Sequence, residues 1–285
     1  MQAPPDLAAA ALRSETARML EAVHPRFGFS PAVAVGPGWH RFAELGERIP
    51  VWVAELRVLD RAPSEIAMSL LSGLTGPVVR PMAAGFVLLG RVPTVTAETV
   101  AVHRRGRIVD RAALTCPIAA REPLLGADVV PDLAEELALR LAGLVTPVID
   151  ALHGATRFGR RNLWGSLGDV LSSHALWVAR HRGDPEPAAR EVFAEIQGVA
   201  DRVQELSGVR FPRPVPYPVH GPSRSTLSQI RGTCCLHYRI PGRTAPDGTP
   251  RYCGTCPLLT EDARRERMRG LVEPATGASR PVHLG

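Results

Sequence analysis

No lysine occurs anywhere in the 285 residues; all 34 basic side chains are arginine. Schiff-base chemistry and the phosphate-gripping lysine of a P-loop are therefore excluded. A G-x-G-x-x-G run is also missing, so nothing points to a Rossmann-type nicotinamide site. Aromatic residues make up only 5% of the chain, too few for a single-strand nucleic-acid surface built on base stacking. Nucleic acid is not an expected partner. Long unbroken apolar runs are lacking too. The longest, Ile66 to Leu89, is interrupted by Ser, Gly, Pro and Arg80, so no membrane span is expected. The opening MQAPPDLAAAALRSE has no basic n-region and carries Asp6 and Glu15, which speaks against a secretory signal. The expected location is the cytoplasm, where thiols stay reduced, so the five cysteines do not read as a disulfide framework.

What the chain does have is enough length for one large domain, or one domain with a small appendage, around a sizeable core. Its formal net charge of +6 suits an anionic ligand, an acidic partner or a solvated basic face. Apolar spacing predicts helices over 6–23, from Pro63-Ser64 onward with Ser64 as N-cap, over 132–144 and 146–152, over 164–180 and over 187–206. A charged helical tail is expected over 260–269. Strands over 96–102 and 107–114 flank a turn at Arg104-Arg105-Gly106, and a further strand around 86–90 is expected to join them. Five prolines (Pro212, Pro214, Pro216, Pro218, Pro222) forbid helix and mark 209–224 as an extended, fairly stiff connector. The expected fold is α+β and predominantly helical: a mainly helical domain over 1–208, the connector, and a cysteine-rich segment over 225–285. A small β-hairpin or sheet completes it.

One cysteine, Cys116, stands alone in an apolar run and reads as a small buried hydrophobe. The other four, Cys234, Cys235, Cys253 and Cys256, fall within 23 residues as Cys-Cys, a gap of seventeen, and Cys-x-x-Cys. A structural zinc, an iron–sulfur cluster and a redox dithiol are the available causes. The dithiol reading is weak, because Cys253 follows a Gly/Pro loop and Cys256 precedes Pro257. The adjacent pair then favours a cluster. Neighbouring side chains in an extended chain point to opposite faces, so bringing both to one tetrahedral zinc needs a contorted backbone. A two-iron cluster is larger and accommodates them more readily.

The segment Arg231-Gly232-Thr233-Cys234-Cys235-Leu236-His237-Tyr238-Arg239, followed by Tyr252-Cys253-Gly254-Thr255-Cys256-Pro257-Leu258, resembles the C-terminal signature of the FhuF-like ferric-siderophore reductase family. In that family the paired and spaced cysteines hold a [2Fe–2S] cluster. The seventeen-residue gap here is longer than is typical. The excess, Pro241-Gly242 through Pro246-Asp247-Gly248-Thr249-Pro250, reads as a surface loop insertion of small energetic cost, about 0.6 kcal/mol per doubling of loop length. Upstream, Arg160, Arg161, Asn162 and Trp164 resemble a segment in the ligand-binding part of such reductases, and are candidate substrate-binding residues.

The resemblance implies an oxidoreductase that passes one electron from a [2Fe–2S] cluster to chelated Fe(III), releasing Fe(II). The 1–208 region would bind the ferric siderophore. Ferrous iron is softer and held less tightly by all-oxygen ligands, but tight ferric binding lowers the substrate's potential by about 59 mV per decade of affinity. All-thiolate ligation suits a strong donor, with plant-type ferredoxins near roughly −400 mV. No flavin or nicotinamide motif is present, so an external ferredoxin or flavin-dependent reductase is expected as electron donor. Around the ligands, Arg231, His237 and Arg239 are candidates to tune the cluster or donate to its sulfurs. The tail arginines Arg264, Arg265, Arg267 and Arg269, interspersed with Glu261, Asp262 and Glu266, are expected to face water. Competing readings are a non-catalytic zinc-stapled protein, an iron–sulfur redox sensor and, from related helical domains, a siderophore-assembly enzyme.

Overall fold

A computed structural model describes residues 5–32, 36–121, 132–221, 224–239 and 248–272. Seven helices are found among them: α1 (Pro5–Val23), α2 (Leu45–Arg57), α3 (Pro63–Ala84), α4 (Leu133–Thr156), α5 (Arg160–Arg182), α6 (Glu186–Ser207) and α7 (Glu261–Arg269). The strands are β1 (Trp39–Arg41), β2 (Arg91–Pro93), β3 (Val100–Arg105), β4 (Ile108–Leu114), β5 (Ile118–Ala120), β6 (Val215–His220) and β7 (Ser225–Ile230). The fold is α+β and predominantly helical. Helices α3, α4, α5 and α6 pack on one another, α2 covers α4, and one large apolar core runs between them.

Helix ends follow local chemistry. Asp132 caps α4, accepting from the backbone N–H of Ala134 and Glu135, which satisfies donors the first turn leaves unpaired. Gly183 and Gly208 end α5 and α6 in the left-handed conformation, where a glycine carries no Cβ penalty. The two helices expected at 132–144 and 146–152 are one. Pro147 lies inside α4, and burial of Leu144, Val145, Val148 and Ile149 outweighs the lost hydrogen bond. Helix α3 begins two residues earlier than expected, with Ala62 at the N-cap and Ser64 in the first turn.

The strand expected around 86–90 is instead a π-helical turn, Gly85–Leu89, continuing α3. A short apolar run cannot be told from a helix segment by periodicity, and only the next three residues extend, pairing with β5. The β3–β4 hairpin forms with Gly106 at φ +60° in its turn, but its first strand is Val100–Arg105 instead of 96–102, with Arg104 and Arg105 paired across the hairpin and not in the turn, and its third strand is β1. Helix α2 has no counterpart in the sequence reading. Pro50 interrupts its pattern, yet Leu45, Ile49, Trp52, Val53 and Leu56 are all buried on one face.

By length and composition, Pro63–Leu89 and α4 are apolar enough to cross a membrane; the interruptions that argued against the first lie within the helix. In the first, 72% of the apolar window is buried inside the protein, which is how a core helix satisfies the same measure.

The proline-rich stretch is extended, as expected, and it is hydrogen-bonded. Strand β6 pairs with β7 in an antiparallel hairpin, Val215 opposite Ile230 and His220 opposite Ser225. Among the described residues, Pro216 and Pro218 lie in a strand whose one partner is β7, where a missing N–H is tolerated. The hairpin is fastened to the helices. The Phe211 N–H donates to Gln204 Oε1 at 3.1 Å, Arg180 donates to the Leu227 carbonyl at 3.0 Å, and Gln229 donates to the Asp169 carbonyl at 2.8 Å. The strand leading to the cysteines is therefore anchored to α5.

Candidate metal centre

From β7 the chain runs through Arg231-Gly232-Thr233 along α5 before reaching Cys234. Asp169, 1% exposed, holds this run. Its carboxylate accepts from the backbone N–H of Gly232 at 2.7 Å and of Thr233 at 3.0 Å. It also accepts from the Thr233 hydroxyl at 2.5 Å and pairs with Arg231 Nε at 3.3 Å. Burial pushes the carboxyl above its ordinary range, against the pull of Arg231 and the Thr233 and Gly232 donors. Burial likewise disfavours the Arg231 charge, but Asp169 and the Cys235 and Cys253 sulfurs more than offset it and hold the guanidinium ionised.

Two glycines permit the close approach. A Cβ on Gly165 would overlap the Thr233 methyl, and one on Gly232 would lie 2.7 Å from the Pro212 carbonyl carbon and oxygen. Backbone cannot yield there without moving the hairpin. Gly232→Ala is expected to lower stability by about 1–3 kcal/mol, the usual range for overpacking, seen as a lower urea midpoint; an unchanged midpoint would show that this seam is loose.

The second half is the turn Cys253-Gly254-Thr255-Cys256, closed by the Cys256 N–H to the Cys253 carbonyl at 3.0 Å. The Arg231 N–H donates to the Thr255 carbonyl, also at 3.0 Å, joining the two halves. Behind the turn, Arg264 of α7 is 6% exposed and donates to the carbonyls of Cys256 at 3.1 Å and Leu259 at 3.0 Å. Its guanidinium lies over the Tyr217 ring. The expectation that the tail arginines face water thus fails for Arg264, because the carbonyls at the end of the cysteine turn need a donor. Arg265 and Arg269 do lie at the surface, paired with Glu261 and Glu266.

The structure brings Cys234, Cys235, Cys253 and Cys256 together. Cys235 Sγ is 3.9 Å from Cys253 Sγ; Cys234 meets Cys256, which also touches Cys253. The adjacent cysteines thus find different main partners, as side chains on opposite sides of the chain should. Immediately after them Leu236 takes φ +59°, a left-handed conformation costing a non-glycine residue about 1 kcal/mol or more. Its side chain packs on the main core. The hydrogen bond from Cys256 draws the Cys234 thiol down to about 6, and those from Cys235 and Cys256 hold Cys253 well down. The same bonds, with burial, push Cys235 and Cys256 up. Four adjacent thiolates would repel one another. Metal cations answer the same electrostatic need. Among the described residues no three Cys, His, Asp or Glu side chains are grouped to hold one ion; the four sulfurs follow one another in a chain of contacts, Cys235 to Cys253 to Cys256 to Cys234. The donor set fits a [2Fe–2S] group.

Beside the quartet lies a cleft of about 640 Å³. Its walls include the Cys253–Thr255 turn, Arg231 and His237, and, from the helices, Arg80 of α3 with His174 of α5. Burial, helped by Arg80, drives the His174 imidazole down to about 3, so it is neutral. Arg239 lies at the surface against Tyr238. The upstream candidates are elsewhere. Arg160 is exposed and pairs with Asp150 at 2.9 Å, Arg161 and Asn162 are exposed, and Trp164 is buried on Phe211; none of them lines the cleft. Cys116 is fully buried, its thiol pushed up to about 11 by burial. Most of the expected 241–250 insertion lies outside the described residues.

Asp169, Arg264, Arg80 and His174 were missed by sequence reasoning. A signal existed for two. Asp169 is the one acid in a buried small-residue stretch, Gly165-Ser166-Leu167-Gly168-Asp169, and Arg80 is the one charge in the longest apolar run.

Residues 231–258 match the family described as the FhuF 2Fe-2S C-terminal domain. Neither a curated protein nor a solved structure matches the chain. The matched segment contains all four clustered cysteines, and its cofactor is a [2Fe–2S] cluster.

Proposed function

We propose that the chain is a ferric-siderophore reductase of the cytoplasm, with Cys234, Cys235, Cys253 and Cys256 as the ligands of its cluster. When bound, that group supplies one-electron chemistry at low potential. The observation that carries the reading is the shared wall. The cleft is large enough for a small-molecule chelate, and Cys253 and Thr255 form part of its surface. A ferric complex seated there lies against a proposed ligand, which is the proximity that electron transfer requires.

The chain's own residues have separable tasks. Asp169 and Arg264 hold the two cysteine-bearing loops by their backbones. Arg231 places a buried positive charge beside Cys235 and Cys253, which stabilises a more negative reduced state and raises the potential. Iron gains one electron and leaves its oxygen ligands as Fe(II). The electron comes from an external donor, a ferredoxin or a flavin-dependent reductase.

The test is spectroscopic. Protein purified without oxygen is expected to be coloured, to lose visible absorbance and gain a paramagnetic EPR signal with dithionite, and to recover its absorbance on adding a ferric siderophore as a ferrous trap colours. A colourless protein holding one zinc would establish the folding-staple reading. A reduced cluster that passes nothing to ferric chelates would favour a redox sensor.

A further inference from the structure

The cleft's charge is lopsided. Arg80, Arg231, Arg251 and Arg267 line it against a single carboxylate, Asp169, and that carboxylate already faces Arg231. Arg80 is the outlier among them. Its Nε is buried with no hydrogen-bond partner, its Nη1 reaches only the Arg26 carbonyl at 3.4 Å, and no acidic side chain pairs with it among the described residues. Its guanidinium lies 5.9 Å from the Trp177 ring centroid, a planar face that orients it. The neighbourhood adds positive charge instead of cancelling it. Burial, then Arg26, draws the guanidinium down to about 10, and His24 is lowered by burial and by His181, Arg26 and Arg80. An unpaired, largely desolvated cation lowers the stability of a fold. Such a group at the edge of a cleft is a candidate for binding an anion.

We propose that the cleft selects iron chelates of net negative charge, with Arg80 as the residue that grips their anionic oxygens. This rests on the reductase reading and narrows it. Catecholate and hydroxycarboxylate complexes carry the required charge, whereas a ferric trihydroxamate is neutral and leaves the guanidinium unanswered. A planar guanidinium also suits paired oxygens, as catecholate and carboxylate groups present them.

Gallium(III) complexes test the inference without electron transfer, because gallium is not reduced under these conditions. Calorimetry on the cluster-loaded protein is expected to find binding of gallium tris-catecholate or gallium citrate that weakens with added salt. Gallium trihydroxamate should bind about 10- to 100-fold more weakly than the better anionic complex. Arg80→Gln should abolish most of that difference, with Arg80→Lys intermediate, while thermal stability holds or rises because an unpaired buried charge is gone. Equal affinity for neutral and anionic complexes, unaltered selectivity in Arg80→Gln, or no binding by any complex overturns the proposal. Should Arg80→Gln fail to fold, the salt dependence and the lysine variant decide alone. The two readings fail separately. Charge-selective gallium binding without reduction of the ferric counterparts sinks the reductase, and reduction of neutral chelates as readily as anionic ones sinks the charge selection.

Discussion

Cys235→Ser is expected to bleach or destabilise the visible chromophore of anaerobically purified protein, while Cys116→Ser leaves its spectrum unchanged. Serine keeps the shape and removes the soft, readily ionised sulfur that iron prefers. Cys235 lies 3.9 Å from Cys253 at the join between the two loops, so its loss opens the ligand set on one side. Cys116 is equally a cysteine, but fully buried with its thiol pushed up to about 11, and takes no part in the quartet. Its replacement introduces a hydroxyl into an apolar site and affects stability alone. Iron and acid-labile sulfide per chain, measured with the spectra, check the comparison. Identical spectra from the two variants would refute the ligand assignment.

Asp169→Ala should be the most damaging change outside the cysteines. It removes the acceptor of two backbone N–H groups and a hydroxyl, and strands Arg231, 7% exposed, without its counter-charge. Breaking a buried pair from one side costs about 3–5 kcal/mol. The expected result is a urea midpoint lowered accordingly, together with a chain that retains little iron because Cys234 is no longer positioned. Asp169→Asn keeps the volume, but its NH₂ would confront the donors of Gly232 or Thr233, so it should rescue only part of the loss. Full iron content and an unchanged midpoint in the alanine variant would remove Asp169 from the account.

The cysteine quartet was legible because its signal is local: four reactive residues of one type within 23 positions. Helices α1, α5 and α6 were legible because their apolar faces recur at the helical period. The residues that fasten and surround the site were not, since their partners are distant in sequence. Asp169 meets Thr233 across 64 positions, and nothing near either residue announces the other. Arg80 was read as a flaw in an apolar run because a linear pattern does not reveal that α3 passes beside the cysteine turn. Pro77 and Pro81 misled in the same direction. Each suggests an interruption, and each is carried inside a helix whose burial outweighs the missing donor. Arg264 read as one more charge in a polar tail, when backbone carbonyls two turns of chain away determine its direction.

The bonds that fasten the cysteine loops share a property: Asp169 to the Gly232 and Thr233 amides, the Arg231 amide to Thr255, and Arg264 to Cys256 all end on oxygen and nitrogen. None of them ends on sulfur. A zinc finger is unfolded until its ion arrives, whereas these contacts need no inorganic part to form. A chain stripped by oxygen or by a chelator should therefore remain soluble and regain its colour on anaerobic incubation with iron and sulfide, so that damage to the centre is repaired by refilling and does not condemn the polypeptide.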